Sequence, residues 1–130
     1  MITSPCEKYR QSSVQTSTPA QLLLMLYDGA IRFVNAGIEG LRQHDVQKTN
    51  QNLGKAQTIV SELMSTLDPS FEVSKGLSAL YEYMNHLLIE ANVKKKVECA
   101  EEALGYFTEL RETWAQAAKA APAEQETQHG

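Results

Sequence analysis

Cysteine is scarce in this sequence: Cys6 and Cys99 are the only two in 130 residues. They are not clustered and stand away from the histidines, so no metal-ligand spacing exists. The pair leaves a disulfide open, but a free thiol in a reducing compartment is the better expectation. Long apolar runs are also missing. The longest, residues 22–27, is six residues, far short of the roughly 20 that span a bilayer. The first ten residues, MITSPCEKYR, are polar and contain proline, so no signal peptide is read there. A cytoplasmic protein without membrane insertion is expected.

Catalytic and cofactor signatures are lacking too. His44 falls in a loop, His86 on the polar side of a helix and His129 in the tail. Glu82 and His86 stand at helical spacing and read as a surface pair. No Glu-x-x-His pair marks a carboxylate di-metal bundle, and no glycine-rich phosphate loop or Gly-x-Ser-x-Gly elbow appears. The net charge of −4 argues against general attraction to nucleic acid or anionic membrane. The run Lys94-Lys95-Lys96 is short and is followed at once by Glu98, Glu101 and Glu102. It matches the negative end of one helix dipole, as the glutamates match the positive end of the next. We therefore expect no enzyme activity, cofactor, metal or nucleic acid.

What is present is helical periodicity. Hydrophobic residues make up 42% of the chain and charged residues 22%, an ordinary globular balance. A chain of this length forms one domain and removes roughly two-thirds of its unfolded surface from water. Residues 1–17, rich in Ser, Thr and Gln, read as an extended arm in which Tyr9 and Val14 are apolar anchors. Thr18-Pro19-Ala20-Gln21 is a strong helix start: a capping threonine, a proline in the first turn and the glutamine of a capping box. The first helix continues to about Leu41. A second starts at Asp45 and stops at Asp68-Pro69, because the residue before proline disfavours helix. The third spans about Val73 to Ala91 and the fourth about Lys95 to Ala120. Residues 122–130, without an apolar side chain after Ala123, are expected to be a disordered tail. No alternating strand pattern persists. Short connections make consecutive helices antiparallel, so the expected fold is all-α: an up-down four-helix bundle over residues 18–121.

The first helix carries more apolar residues than one stripe requires. Turning 100° per residue, Leu23, Tyr27, Ala30, Val34 and Leu41 share one side, with Leu24, Ile31 and Ile38 beside them. Leu22, Met25, Leu26, Gly29, Phe33 and Ala36 fall on what reads as nearly the opposite side. Gly29 costs about 1 kcal/mol relative to alanine inside a helix, and its missing side chain would admit another backbone. Smaller apolar extras are Ile59 on the second helix, Ile89 on the third, and Cys99 with Tyr106 on the fourth. Two readings compete: the second stripe is covered by the chain's own arm or by irregular packing, or it is a groove for a partner's apolar helix. Both hold if the arm is a removable lid.

The stretch YRQSSVQTSTPAQLLLMLYDGAIRF, residues 9–33, resembles the opening of the flagellin export chaperone family, FliS. The matching features are Tyr9, Val14 with Thr16, Pro19, and Met25-Leu26-Tyr27-Asp28-Gly29. Further matches are Lys55-Ala56 with Glu62-Leu63, LYEYMNHLLIEAN at 80–92 and LRETW at 110–114. Local departures are Val93-Lys94-Lys95-Lys96 and Gly76-Leu77-Ser78. The resemblance implies a cytoplasmic helical bundle that binds the C-terminal segment of flagellin, prevents premature polymerisation and keeps the subunit competent for type III secretion. It also implies that the N-terminal part, here with Tyr9 and Val14, lies over the binding surface until flagellin arrives. Leu22, Met25, Leu26, Gly29, Phe33, Ile59, Ile89 and Tyr106 are then the expected flagellin contacts. Other flagellar export or regulatory proteins stay open as partners. The alternative is a self-associating bundle, a scaffold or regulator that binds another amphipathic helix.

Overall fold

The computed structural model describes residues 18–129, with side chains described through Lys119. The arm, with Tyr9, Val14 and Cys6, lies outside the described residues. Helix α1, Pro19–Arg42, starts at its sequence cap. The Thr18 hydroxyl accepts from the Gln21 amide at 3.1 Å, and the Gln21 side chain accepts from the Thr18 amide at 3.0 Å. Two donors that no helical turn can satisfy are thereby paired. Helix α2, Val46–Ser65, is capped by Asp45, whose carboxylate accepts from the Lys48 amide at 3.0 Å.

Helix α2 ends three residues before Asp68. The Thr66 and Leu67 amides turn back to the Leu63 and Met64 carbonyls, a tightened last turn. Asp68 instead organises the loop, accepting from both the hydroxyl and the amide of Ser70. These bonds hold its carboxyl below the usual carboxylate range. Helix α3, Val73–Lys94, and helix α4, Val97–His129, are joined by two residues. Lys95 takes a left-handed conformation, φ 55°, and the Lys95 and Lys96 amides both donate to the Ala91 carbonyl. This is the position that glycine usually fills at a helix end. Helix α4 runs past Pro122, where the tail was expected to begin.

The helices pack in a ring: α1 on α2, α2 on α3, α3 on α4, and α4 back on α1. Contacts across both seams of α1 show opposite directions. Gly29 lies by Ile59 and Gly40 by Thr49; Asp28 pairs with Arg111 and Arg42 with Glu101. The described residues form the expected up-down four-helix bundle, without strands. Its core takes Tyr27, Ala30, Val34, Ile38 and Leu41 from α1, joined by Leu53, Val60 and Leu63, then Tyr81, Met84 and Leu88, and finally Ala100, Ala103 and Phe107.

One polar contact crosses the middle of this core. The Tyr27 hydroxyl hydrogen-bonds the Tyr81 hydroxyl, linking the diagonal helices α1 and α3. The Trp114 indole N–H donates to the Tyr27 oxygen at 3.1 Å, bringing in α4. Burial pushes both phenols above the ordinary tyrosine value, and for Tyr27 the bond to Tyr81 raises it further. An unfolded chain releases these protons near pH 10 while the folded chain holds them. Stability is therefore complete below about pH 10 and falls as pH rises beyond it, by at most about 1.4 kcal/mol per pH unit for each tyrosine. Urea midpoints measured between pH 8 and 11 test this, and the slope should be smaller in Tyr81→Phe.

Candidate functional site

The second stripe of α1 is adjacent to the core stripe, not opposite it. Phe33 and Val34 are consecutive and so stand about 100° apart. In a ring of four helices each member touches two neighbours as well as the centre, and the stripe is the side that α2 covers. A Cβ on Gly29 would lie 3.3 Å from Ile59 Cδ1; on Gly37 it would lie 2.5 Å from Leu53 Cδ2, and on Gly40 2.7 Å from Thr49 Oγ1. The close approach that Gly29 allows is thus made by α2 of the same chain. Ile59, read from the sequence as an extra outside the core, is 7% exposed and belongs to it.

The stripe is not wholly consumed. Leu22, Met25, Leu26 and Phe33 are half-buried. Leu26 and Phe33 pack against the core, whereas Leu22 is not part of that packing. The Lys55 ammonium sits 5.3 Å from the centre of the Phe33 ring, a cation–π contact that roofs the ring from α2. What remains is an apolar margin along the outer edge of the α1–α2 seam, over a floor of Gly29 and Ile59.

Tyr106 lies on the other side of the ring, at the α3–α4 seam where it meets Tyr83, and Ile89 is on the outward side of α3. Ile89 is 40% exposed, as expected for its position opposite the core. Tyr106 is half-buried and stands edge-on to Tyr83 with ring centres 6.0 Å apart. The eight residues expected to act together therefore divide between two faces. Glu82 and His86 show no mutual bond; His86 stacks on Tyr83 instead, with ring centres 6.5 Å apart. Two of the three lysines of the run are engaged: Lys94 pairs with Glu90 at 3.1 Å, and Lys95 donates to Asn50 and Asn92.

Two features of these faces escaped the sequence reading. Gly37 and Gly40 continue the stripe of Gly29 at spacings of eight and eleven residues, a periodicity that could have marked a close helix crossing. Tyr83, three residues before His86, was taken only as part of a family match. No group of three or more His, Cys, Asp or Glu among the described residues is placed to hold a metal. None of the helices, over the described residues, is long and apolar enough to cross a membrane.

The family described as flagellar protein FliS matches residues 2–121 of this chain. The chain belongs to the FliS family. A flagellar secretion chaperone FliS from Bacillus subtilis is 38% identical over 99% of this chain and 95% of its own length. The one from Salmonella typhimurium is 34% identical over 82% of this chain and 81% of its own. A third, from Campylobacter jejuni, is 30% identical over 82% and 84%. The family assignment agrees with the resemblance read from residues 9–33 and from the further matches at 55–56, 62–63, 80–92 and 110–114. It also places Met25-Leu26-Tyr27-Asp28-Gly29 in context, since this segment supplies both the buried Tyr27 and the half-buried margin.

Proposed function

We propose that this chain is a cytoplasmic secretion chaperone that binds the C-terminal segment of flagellin before export and keeps it from polymerising. Membership in a family of flagellar secretion chaperones supports the role. The observation that carries the binding surface is the half-buried apolar margin of α1, where Leu22 stands outside the core packing with Leu26 and Phe33 beside it. Such a margin fits the apolar side of an amphipathic helix laid in a shallow groove. A segment that folds as it binds spends part of its interaction energy on ordering. It therefore needs a long contact, and we extend the track to Ile89 and Tyr106 on the α3–α4 side. The arm, with Tyr9 and Val14, is proposed as a lid that covers part of this track in the free chaperone.

Titration of the full chain with a flagellin C-terminal peptide tests the reading directly. Tight binding is expected for the wild type. Leu22→Asp should weaken it about tenfold, the cost of setting a charge against an apolar anchor, while the helical circular dichroism is unchanged. Leu26→Asp is the poorer probe because Leu26 also supports the core. Wild-type protein that ignores the peptide sinks the proposal. If that protein also gains mass with concentration in sedimentation, the self-associating scaffold takes its place.

A further inference from the structure

The α3–α4 face carries an arrangement that apolar docking alone does not account for. Tyr83, 43% exposed, donates its hydroxyl to Glu102 Oε2 at 2.8 Å, and the Tyr106 hydroxyl reaches the same oxygen at 3.5 Å. Both contacts fall on Oε2, and among the described residues no hydrogen bond or ion pair is made to Oε1. The two rings stand at 74° to one another, forming a corner with the carboxylate at its rim. Hydrogen bonding to the ionised Glu102 raises the Tyr83 phenol above its ordinary value, as expected when a hydroxyl is committed to a nearby negative charge.

On the α4 side the charge at this corner has one sign, while α3 contributes His86, stacked on Tyr83. From Val97 to Leu110, α4 carries Glu98, Glu101, Glu102 and Glu109 and no lysine or arginine. Glu98, Glu102 and Glu109 follow spacings of four and seven residues, so they share one side of the helix. On α3, about two and three turns beyond Tyr83 and roughly 120° and 80° around the helix from it, stand Ile89 and Val93, 40% and 73% exposed. A carboxylate oxygen open to a donor, two aromatic walls and an apolar continuation together match one chemistry. That chemistry is a basic side chain on an otherwise apolar helix: its charge meets the carboxylate, its stem and cationic head meet the rings, and its apolar neighbours meet the aliphatic pair.

We propose that the α3–α4 face seats a lysine or arginine of the bound flagellin segment, held by Glu102 at the rim of the Tyr83–Tyr106 corner, with apolar residues of the segment on Ile89 and Val93. This rests on the flagellin reading above and adds an electrostatic anchor that fixes the register of the segment. An apolar groove lets a helix slide by a turn at little cost, whereas one charged contact at a defined place does not.

The experiment is a titration of full-length wild type and Glu102→Gln with the flagellin C-terminal peptide, each at low and high salt. Each lysine and arginine of the peptide is then replaced by alanine in turn. Glu102→Gln should bind about tenfold more weakly at low salt and show a flatter salt dependence. One peptide substitution should cost the wild type a similar factor and cost Glu102→Gln nothing, the signature of a direct pair. Because Glu102 is exposed, its thermal unfolding should match the wild type, so any loss reports binding and not folding. Equal affinity and salt dependence in the two proteins overturn the anchor, as does the absence of coupling with every basic residue of the peptide. If Leu22→Asp loses the peptide while Glu102→Gln keeps it, the anchor falls and the chaperone reading stands. A wild type that does not bind the peptide overturns both.

Discussion

Tyr27→Phe should lower the unfolding free energy by about 2–3 kcal/mol, while Tyr81→Phe should lower it by only about 1 kcal/mol. The two substitutions each remove one oxygen from a buried phenol pair, yet they leave different debts behind. The Tyr27 hydroxyl is the shared member: it bonds Tyr81 and accepts from the Trp114 indole. Its removal strands the Tyr81 hydroxyl, in a residue 1% exposed, and deprives Trp114 of its acceptor. An unpaired buried polar group carries its whole desolvation cost, about 1–3 kcal/mol. Trp114 is half-buried, so water can replace part of its bond, which keeps the total below the sum of two full penalties. Tyr81→Phe leaves Tyr27 still holding Trp114, so only one bond is lost. Chemical denaturation of the two variants beside the wild type checks the ranking. Equal losses would mean that the indole contact contributes nothing.

Gly40→Ala should destabilise by about 2 kcal/mol, and Gly54→Ala should stabilise by about 0.5–1 kcal/mol. Both glycines lie inside helices, where alanine is favoured by about 1 kcal/mol on propensity alone. The difference is the neighbour. A Cβ at position 40 would come within 2.7 Å of Thr49 Oγ1 and 2.9 Å of the Thr49 amide nitrogen, whereas one at position 54 meets nothing within 4 Å. The Thr49 nitrogen is backbone, tied by its bond to the Asp45 carbonyl at 3.0 Å, so it cannot swing aside as a side chain would. Helices α1 and α2 must separate, and overpacking of this kind costs about 3 kcal/mol before the propensity gain is set against it. Gly29 is the intermediate case, because its nearest neighbour is the terminal methyl of Ile59 at 3.3 Å, which can move. Thermal melts of the three alanine variants should therefore order Gly54 above Gly29 above Gly40.

These glycines explain how much of the surface was legible beforehand. Helix starts are local events: Thr18 with Gln21, and Asp45 with the Lys48 amide, act within four residues, so their signals stand complete in the sequence. The core side of α1 was equally plain, since Tyr27, Ala30, Val34, Ile38 and Leu41 repeat at helical spacing and are all buried. The end of α2 was misplaced by three residues. Proline at 69 forbids helix before it but does not say how soon the last turn tightens. Lys95 in a left-handed conformation carries no signal of its own, because glycine, not lysine, is the usual occupant.

Sequence alone determined that this chain is a helical bundle, where three of its helices begin, and that α1 is apolar on two sides. Its likeness to the FliS family was readable in Met25-Leu26-Tyr27-Asp28-Gly29 and its neighbours. Which helix covers the second side was decided only by tertiary structure. Periodicity reports the direction of a side chain from its own axis, but the distance to the next axis depends on residues far along the chain. Gly29 meets Ile59, Gly37 meets Leu53 and Gly40 meets Thr49, so α2 closes over most of the stripe and leaves a half-buried margin that includes Leu22. The same limit hid the corner of Tyr83, Glu102 and Tyr106, whose chemistry exists only because α3 and α4 turn back on one another across two residues.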